Sequence, residues 1–188
     1  MSGPLLVRRY LALRAAGVQS GLLRPLEDWV ADNPEDYPTR RTLAAAYLDA
    51  GSPTAATRLY EELAAFREND PVVLNNLASL YFEAGDPRAL ETAEAAFRLA
   101  PKQSQTLDTL GWILVQTGDT ARGLELLRDA FARESRRLSV RYHLAVALSR
   151  QGKNMEAREH LEAILSAETV SDEVAQKSKQ LLAELKGG

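Results

Sequence analysis

The side chains best suited to acid–base chemistry in this sequence are two histidines, His143 and His160, and neither stands in a catalytic motif. Glu156 and His160 are four residues apart, so on a helix they would share one face, which is a common surface pairing. His143 precedes an apolar leucine, and we expect it either to be hydrogen-bonded within the fold or to line a binding groove. There is no cysteine, Gly-rich phosphate loop, HExxH zinc motif or G-x-S-x-G turn. The sequence therefore predicts a protein that is not an enzyme and that holds no metal or cofactor.

The balance of charged residues argues against nucleic acid as a partner. Lys and Arg number 23 against 26 Asp and Glu, a net charge of −3, whereas a phosphate backbone requires a basic excess. A cluster of Arg133, Arg136, Arg137 and Arg141 could bind an anionic group, although such clusters are mostly solvated. No apolar run approaches the roughly 18 residues of a membrane span, and the first residues lack the apolar run of a signal peptide. The absence of cysteine leaves the compartment open.

Five glycines recur at a nearly constant interval along the chain. Gly17, Gly51, Gly85, Gly118 and Gly152 are separated by 34, 34, 33 and 34 residues. Each follows an apolar segment with helical spacing, so we expect each to end a helix in the left-handed conformation. A helical hairpin repeated at this period does not close around one globular core. It stacks into a solenoid whose surface holds other molecules.

Each repeat is expected to contain two helices. In the first helix, Leu43 with Tyr47 and Leu77 with Tyr81 are four residues apart and place two large groups on one face. The small residue after each leucine allows a second helix to approach closely, and we expect such a crossing at Gly111. The predicted units are residues 3–36, 37–70, 71–103, 104–137 and 138–170, followed by a capping helix over 171–186 that covers the last apolar surface.

Polar side chains mark the expected helix starts. An Asp, Ser or Asn before the first helical turn can accept a hydrogen bond from a backbone N–H, and a proline often follows it. A cap of this kind is also expected at Ser171, where an acidic first turn follows. The other predicted caps are Ser52, Asp70, Asp86, Asp119 and Asn154.

The side chains of the two helices resemble the tetratricopeptide repeat over nearly the whole chain. The likeness lies in the leucine, small residue and tyrosine of the first helix, and in the alanines and aromatics of the second. Tyr47, Tyr60, Tyr81 and Phe97 sit at repeat-defining places and are expected in the core. The resemblance implies an all-α, right-handed superhelix (an α-solenoid) of about five helix-turn-helix repeats plus a C-terminal capping helix. It implies much less about function.

A narrower resemblance concerns the segments 74–90, 107–115 and 141–148. They look like the C-terminal repeats of the bacterial repeat lipoproteins tied to exopolysaccharide export and PEP-CTERM protein sorting. Such a relationship implies a periplasmic or cell-envelope location. This chain has no cysteine to lipidate, however, and a cytoplasmic location is the alternative.

The functional surface of a tetratricopeptide solenoid is usually the concave one, which the first helices line. There the register places the aromatics Phe82, Trp112 and Tyr142 in successive repeats, as in peptide-binding hot spots. For Phe82 and Trp112, burial between helices is the competing interpretation. The predicted groove residues are Arg41, Asn75, Asn76, Ser79, Phe82, Asp108, Trp112, Gln116, Tyr142 and Arg150, together with Ala45, Leu48, Val115 and Val146.

We therefore expect a non-catalytic scaffold that binds a protein or peptide segment in its groove. The carboxylate clamp of some tetratricopeptide proteins is not expected. Asn76 matches one clamp position, but Gln105, Thr109 and Ala45 occupy others. Direct polysaccharide binding is the alternative, because aromatics beside Asn, Asp and Arg would serve that purpose as well.

Overall fold

The computed structural model describes residues 2–18, 20–67 and 69–187, and every regular element within these ranges is an α-helix. This part of the chain holds eleven helices and no strand, which confirms the predicted all-α class. They are α1 (Gly3–Ala15), α2 (Arg24–Asp32), α3 (Tyr37–Asp49), α4 (Pro53–Phe66), α5 (Pro71–Glu83), α6 (Ala89–Leu99), α7 (Ser104–Thr117), α8 (Thr120–Arg133), α9 (Leu138–Arg150), α10 (Asn154–Leu165) and α11 (Asp172–Gly187).

The helices form a linear array of pairs. Helix α3 packs on α4, α5 on α6, α7 on α8 and α9 on α10, and neighbouring pairs meet through α4 with α5, α6 with α7 and α8 with α9. The odd-numbered helices, here called the first helices, also touch one another: α1 with α3, α5 with α7, α7 with α9 and α9 with α11. Each unit thus packs on the next, as in a solenoid.

Aspartate side chains cap several helices, as predicted for Asp70 and Asp119. The carboxylate of Asp70 accepts hydrogen bonds from the Val73 backbone N–H at 3.2 Å and from the Arg41 guanidinium at 2.9 Å. Burial alone raises the pKa of Asp70, but these hydrogen bonds outweigh it, and the net pKa lies below its ordinary value. Asp119 caps α8, and Asp36, which the sequence interpretation missed, caps α3.

Three other predicted caps do not make the expected capping hydrogen bond. Ser52 stands at the start of α4, but its side chain makes no capping hydrogen bond. Asp86 accepts a hydrogen bond from the Arg88 N–H at 2.9 Å, which closes a turn two residues long, so α6 begins only after Arg88. Asn154 is the first residue of α10 and not its cap. The cap at Ser171 is confirmed, because its hydroxyl accepts from a backbone N–H in the first turn of α11 at 3.4 Å.

The glycines between paired helices adopt the predicted left-handed conformation. Gly85 has φ 69° and Gly118 has φ 109°. The backbone N–H of Gly118 donates to the Leu114 carbonyl of α7 at 3.1 Å, which closes the last turn of that helix. Side chains with a Cβ rarely adopt such φ values, which explains why glycine recurs at these turns.

Most of the predicted core positions are buried. The repeat leucines Leu43, Leu77, Leu110 and Leu144 all lie inside, and Tyr60 is completely covered. Tyr81 is buried as well, whereas Tyr47 and Phe97 are half-buried and pack against the edge of the same core.

The N-terminal unit is tied to α3 by polar contacts. Asp49 accepts hydrogen bonds from the Tyr10 hydroxyl at 2.9 Å and from the Arg14 guanidinium at 2.7 Å. The Trp29 indole N–H donates to Asp36 at 2.7 Å.

Across the described ranges, no helix combines the length and the apolar character that a membrane crossing requires.

Candidate functional site

A pocket of about 570 Å³ opens where four first helices meet. Helices α5, α7, α9 and α11 each contribute one face to it, and we call it the groove pocket. It is lined by Ser79, Phe82 and Glu83 of α5, Asp108, Thr109, Trp112 and Ile113 of α7, Ser139, Tyr142 and His143 of α9, and Glu173, Val174 and Lys177 of α11.

Helical spacing explains why these side chains converge. On α9 the lining residues Ser139, Tyr142 and His143 stand at i, i+3 and i+4, and α5 and α7 follow the same spacing. Residues at these intervals share one helix face. The repeat leucines on the same helices point into the core instead. The sequence pattern that buries one side of each first helix therefore directs the other side into the groove pocket.

Aromatic rings form the centre of this pocket. The Trp112 and His143 rings are stacked, with centroids 4.2 Å apart and an angle of 17° between their planes. The Tyr142 ring is tilted against Trp112 at 6.4 Å. Trp112 and Tyr142 are half-buried and pack against the core formed by α7, α8, α9 and α10. The Trp112 ring is therefore partly buried against the core and partly exposed to the groove pocket.

A hydrogen bond fixes His143 in this cluster. Its Nδ1 lies 2.8 Å from Oδ1 of Asp108, one repeat earlier, and both side chains are mostly buried. The two roles considered for His143 are thus combined, because the ring is hydrogen-bonded within the fold and also lines the groove pocket. The contact links α7 to α9 and holds the Trp112 stack in place.

A second pocket adjoins the first and shares Trp112, Tyr142 and Lys177 with it. Gln116 and Arg150, both predicted groove residues, line this adjoining pocket. The Arg150 guanidinium donates to the Val115 carbonyl and, at 2.8 Å, to the Gln116 side chain. Arg150 is therefore engaged within the fold rather than presented to a partner as an isolated charge.

The charges at the groove pocket are mostly negative. Glu83, Asp108 and Glu173 supply three carboxylates, and Lys177 supplies one ammonium group. Lys177 donates to Glu173 at 2.6 Å, and this hydrogen bond raises the pKa of Lys177 and lowers the pKa of Glu173. Within the described residues, Glu83 takes part in no ion pair.

Three of the polar predicted groove residues lie outside both pockets. Arg41 pairs with Asp70 at 2.9 Å beside the turn between α4 and α5. The Asn76 amide donates to the Tyr60 hydroxyl at 2.7 Å, and Asn75 has a buried Oδ1 without a hydrogen-bond partner in the described part of the chain.

One aliphatic prediction needs correction. Val115 was expected in the groove, but it is completely buried, because it belongs to the core of Leu144 and its neighbours beneath α7 and α9. Val146 is mostly buried in the same core, but it also lines the adjoining pocket. Ala45 and Leu48 of α3 are half-buried and line neither the groove pocket nor the adjoining pocket.

The sequence interpretation missed the contribution of α11. Glu173, Val174 and Lys177 come from the helix that was expected only to cover the core, and Glu83 and Ser139 were also overlooked. The spacing of Glu173 and Lys177, four residues apart, was the available signal, since it predicts one charged helix face. It could not reveal that this face turns towards α9.

Most of the remaining chemical candidates contact other residues of the fold. Glu156 accepts a hydrogen bond from Arg128 at 2.8 Å and, within the described residues, makes no hydrogen bond or ion pair with His160. The His160 ring instead meets Phe131 edge-on, with centroids 5.0 Å apart. Arg141 lies over the same ring of Phe131 at 4.9 Å. In the arginine cluster, Arg137 pairs with Glu134 at 3.4 Å, while Arg133 and Arg136 are exposed.

Comparisons with known proteins agree with this architecture. A crystal structure of a thermophilic tetratricopeptide repeat protein from Thermus thermophilus is 20% identical, with 97% of this chain and 100% of that chain covered and a TM-score of 0.76. PilF of Pseudomonas aeruginosa is 17% identical, with 97% of this chain and 88% of that chain covered and a TM-score of 0.72. MamA (residues 41 to the end) of Desulfovibrio magneticus RS-1 is 17% identical, with 95% of this chain and 96% of that chain covered and a TM-score of 0.68.

At these identities the structural likeness establishes the fold alone. Comparison with curated protein sequences gives no match. A family model of the tetratricopeptide repeat matches residues 114–185, which span the end of α7, α8, α9, α10 and most of α11. The chain is therefore an α-solenoid that matches the tetratricopeptide repeat family over residues 114–185 and has the fold of solved tetratricopeptide repeat proteins.

Proposed function

We propose that this protein is a non-catalytic scaffold that binds a segment of a partner protein in the groove pocket. The observation that carries the proposal is the convergence of Phe82, Trp112, Tyr142 and His143 from three successive first helices. The tetratricopeptide fold supports a role in protein interaction in general. The location of the binding site is our own proposal.

Two properties of the aromatic centre support a binding role. Trp112 and Tyr142 are partly exposed, and their other sides are held by His143 and by the core. Such side chains are already ordered before a partner arrives, so little conformational entropy is lost when they make contact. Hydroxyl groups of Ser79, Thr109 and Ser139 surround them and can pair with a partner backbone.

The wider setting proposed is a bacterial exopolysaccharide-export or envelope system, and it rests on the resemblance of segments 74–90, 107–115 and 141–148. Direct polysaccharide binding is the second candidate. The observation in its favour is the partly exposed Trp112 ring next to the Asp108 carboxylate and the groove hydroxyls, because sugars stack on such rings and hydrogen-bond to such groups.

Selection from a random peptide library displayed on phage tests the leading proposal. The wild-type protein is expected to enrich peptides that bind in the low-micromolar range or weaker. Trp112→Ala should weaken their binding by about 2 kcal/mol, as truncation of an aromatic anchor does. The matched control is Phe66→Ala, which removes an exposed aromatic of α4 that lines neither the groove pocket nor the adjoining pocket.

Three results separate the candidates. Peptides that lose affinity for Trp112→Ala but not for Phe66→Ala support segment binding in the groove pocket. Peptides that bind both variants equally place the binding surface elsewhere and contradict the proposal. A glycan array that gives Trp112-dependent binding, without any such peptide, favours the polysaccharide alternative.

The division into repeats at 3–36, 37–70, 71–103, 104–137 and 138–170 is likewise our proposal. The paired helices α3 with α4, α5 with α6, α7 with α8 and α9 with α10 each lie within one of these units. On this division, α11 takes the place of a sixth first helix, since it packs on both α9 and α10.

A further inference from the structure

The groove pocket combines aromatic rings with a surplus of negative charge, and this combination indicates which kind of segment it binds. Glu83, Asp108 and Glu173 face one cation, Lys177. Because Lys177 and Glu173 are already paired at 2.6 Å, the charge of Lys177 is compensated within the fold. The carboxylates of Glu83 and Asp108 remain to set the electrostatic character of the pocket.

These two carboxylates lie on neighbouring first helices, α5 and α7, and both have free accepting capacity. Asp108 uses Oδ1 for His143, and its Oδ2 accepts no hydrogen bond from any described residue. Glu83 is exposed and, in the described ranges, makes neither an ion pair nor a side-chain hydrogen bond. A cation that entered between α5 and α7 would therefore find acceptors on both sides.

Among the described residues, Lys177 is the one cation that lines the groove pocket. Arg150 lies in the adjoining pocket, where the Val115 carbonyl and Gln116 hold its guanidinium. A ligand cation at the groove pocket would thus meet two carboxylates, Glu83 and Asp108, that form no ion pair with any described Lys or Arg. An acidic segment would meet repulsion from the same groups.

The rings add a preference for one type of cation. The faces of Trp and Tyr rings attract cations, and a planar guanidinium can stack on a ring while its N–H groups reach a carboxylate. A lysine ammonium, which is compact and strongly hydrated, does this less well. Trp112 and Tyr142 pack against the core and line the same pocket as the carboxylates, so the pocket offers both kinds of contact.

We propose that the groove pocket binds an arginine side chain of a basic partner segment, stacked on the aromatic centre and paired with Glu83 and Asp108. The proposal rests on the proposed function, since it assumes that the groove pocket is the binding site. It specifies the chemistry of the partner as a basic peptide.

The probes are synthetic peptides from the phage selection and their counterparts in which each arginine is replaced by citrulline, which has the same shape without the charge. Selected peptides are expected to contain arginine, and citrulline should weaken their binding about fivefold or more. Glu83→Gln should weaken the arginine peptide roughly threefold and leave the citrulline peptide unchanged. Glu125→Gln, an exposed carboxylate of α8, is the matched control and should have no effect.

The outcomes distinguish this proposal from the proposed function. Arginine peptides with citrulline sensitivity, and with a loss confined to Glu83→Gln, support a basic partner. Peptides that depend on Trp112 but tolerate citrulline, or that are acidic, overturn the inference while the scaffold function stands. If no selected peptide depends on Trp112, the proposed function fails and the inference fails with it.

Discussion

Gly111 and Gly123 face each other where α7 crosses α8, so closely that neither position has room for a side chain. A Cβ on Gly123 would lie 2.7 Å from the Gly111 carbonyl oxygen and 2.6 Å from Val115 Cγ2. A Cβ on Gly111 would lie 3.1 Å from the Gly123 carbonyl oxygen. The expected close crossing at Gly111 is thus confirmed, and the pairing with Gly123 explains it, because two glycines let the backbones of the helices meet.

Gly123→Ala should destabilise the protein, even though alanine favours helix more than glycine does. Its methyl group would press on backbone atoms of α7, which cannot rotate away, and we expect a loss of about 1–3 kcal/mol. Gly111→Leu should cost at least as much. Urea unfolding monitored by circular dichroism measures the effect. An unchanged midpoint for both variants would contradict the crossing.

The stack of Trp112 on His143 should contribute measurable coupling energy. Trp112→Ala alone is expected to lower the free energy of unfolding by about 1–2 kcal/mol, less than the ~3–5 kcal/mol of a fully buried aromatic, because the ring is half-exposed. A double-mutant cycle with His143→Ala should give a coupling of about 0.5–1.5 kcal/mol. Strict additivity of the two changes would show that the rings do not interact in solution.

Ser178→Ala should leave stability unchanged or increase it. The Ser178 side chain is completely buried in α11, and its hydroxyl has no hydrogen-bond partner in the described part of the chain. Removing an unpaired buried hydroxyl relieves a desolvation cost, and alanine also favours the helix, so we expect a gain of roughly 0.5–1 kcal/mol. Thermal unfolding monitored by circular dichroism measures the change.

Ser104→Ala provides the matched control. That hydroxyl is buried too, but it donates to the Ala130 carbonyl at 3.2 Å. Its loss removes a buried hydrogen bond and should cost about 1 kcal/mol. A loss of the same size at Ser178 would mean that its hydroxyl has a partner in solution.

His160 should make stability depend on pH in the weakly acidic range. Burial lowers the pKa of His160 below its ordinary value, and the nearby Arg141 lowers it further. The unfolded chain then binds a proton more readily than the folded protein. The contribution of neutral His160 is therefore complete above the ordinary histidine pKa of about 6.5 and is lost as the pH falls through the folded pKa.

Urea titrations between about pH 7.5 and pH 5 measure this dependence. The free energy of unfolding of the wild type should decline as the pH falls, and His160→Gln should reduce the slope. His143→Gln, on the groove side, serves for comparison. Identical slopes for the wild type and His160→Gln would rule out a buried neutral His160.

The fold could be predicted from sequence because its determinants are local and repeat. Leu77 and Tyr81, four residues apart, identify the buried face of α5, and Gly85 ends the helix with φ 69°. The same pattern recurs in each unit, so a helix that is ambiguous in one repeat can be assigned from the equivalent positions of the next repeat. The caps at Asp86 and Asn154 were misplaced. Whether one polar side chain caps a helix or closes a turn depends on its local contacts, which the repeat pattern does not reveal.

The candidate site was harder to predict from the sequence because its polar contacts join residues of different repeats. Arg150 with Gln116 and His143 with Asp108 are 34 and 35 residues apart, about one repeat. These pairs link equivalent faces of neighbouring first helices, and they occupy groups that looked free in the sequence. Asn76 is similarly engaged by Tyr60 of the preceding helix. A search for complementary side chains one period apart would have identified the first two pairs.

Helix α11 is both the cover of the last core surface and a wall of the groove pocket, through Glu173, Val174 and Lys177. In a one-dimensional array each unit is held by its neighbours, and α11 packs on α9 and α10, so it can open locally at a lower free energy than the whole solenoid unfolds. Opening of α11 would remove a wall of the site without unfolding the remaining solenoid. Conversely, a ligand that contacts Lys177 adds its binding free energy to the docking of α11. Ligand binding in the groove pocket and local opening of α11 are thus linked equilibria.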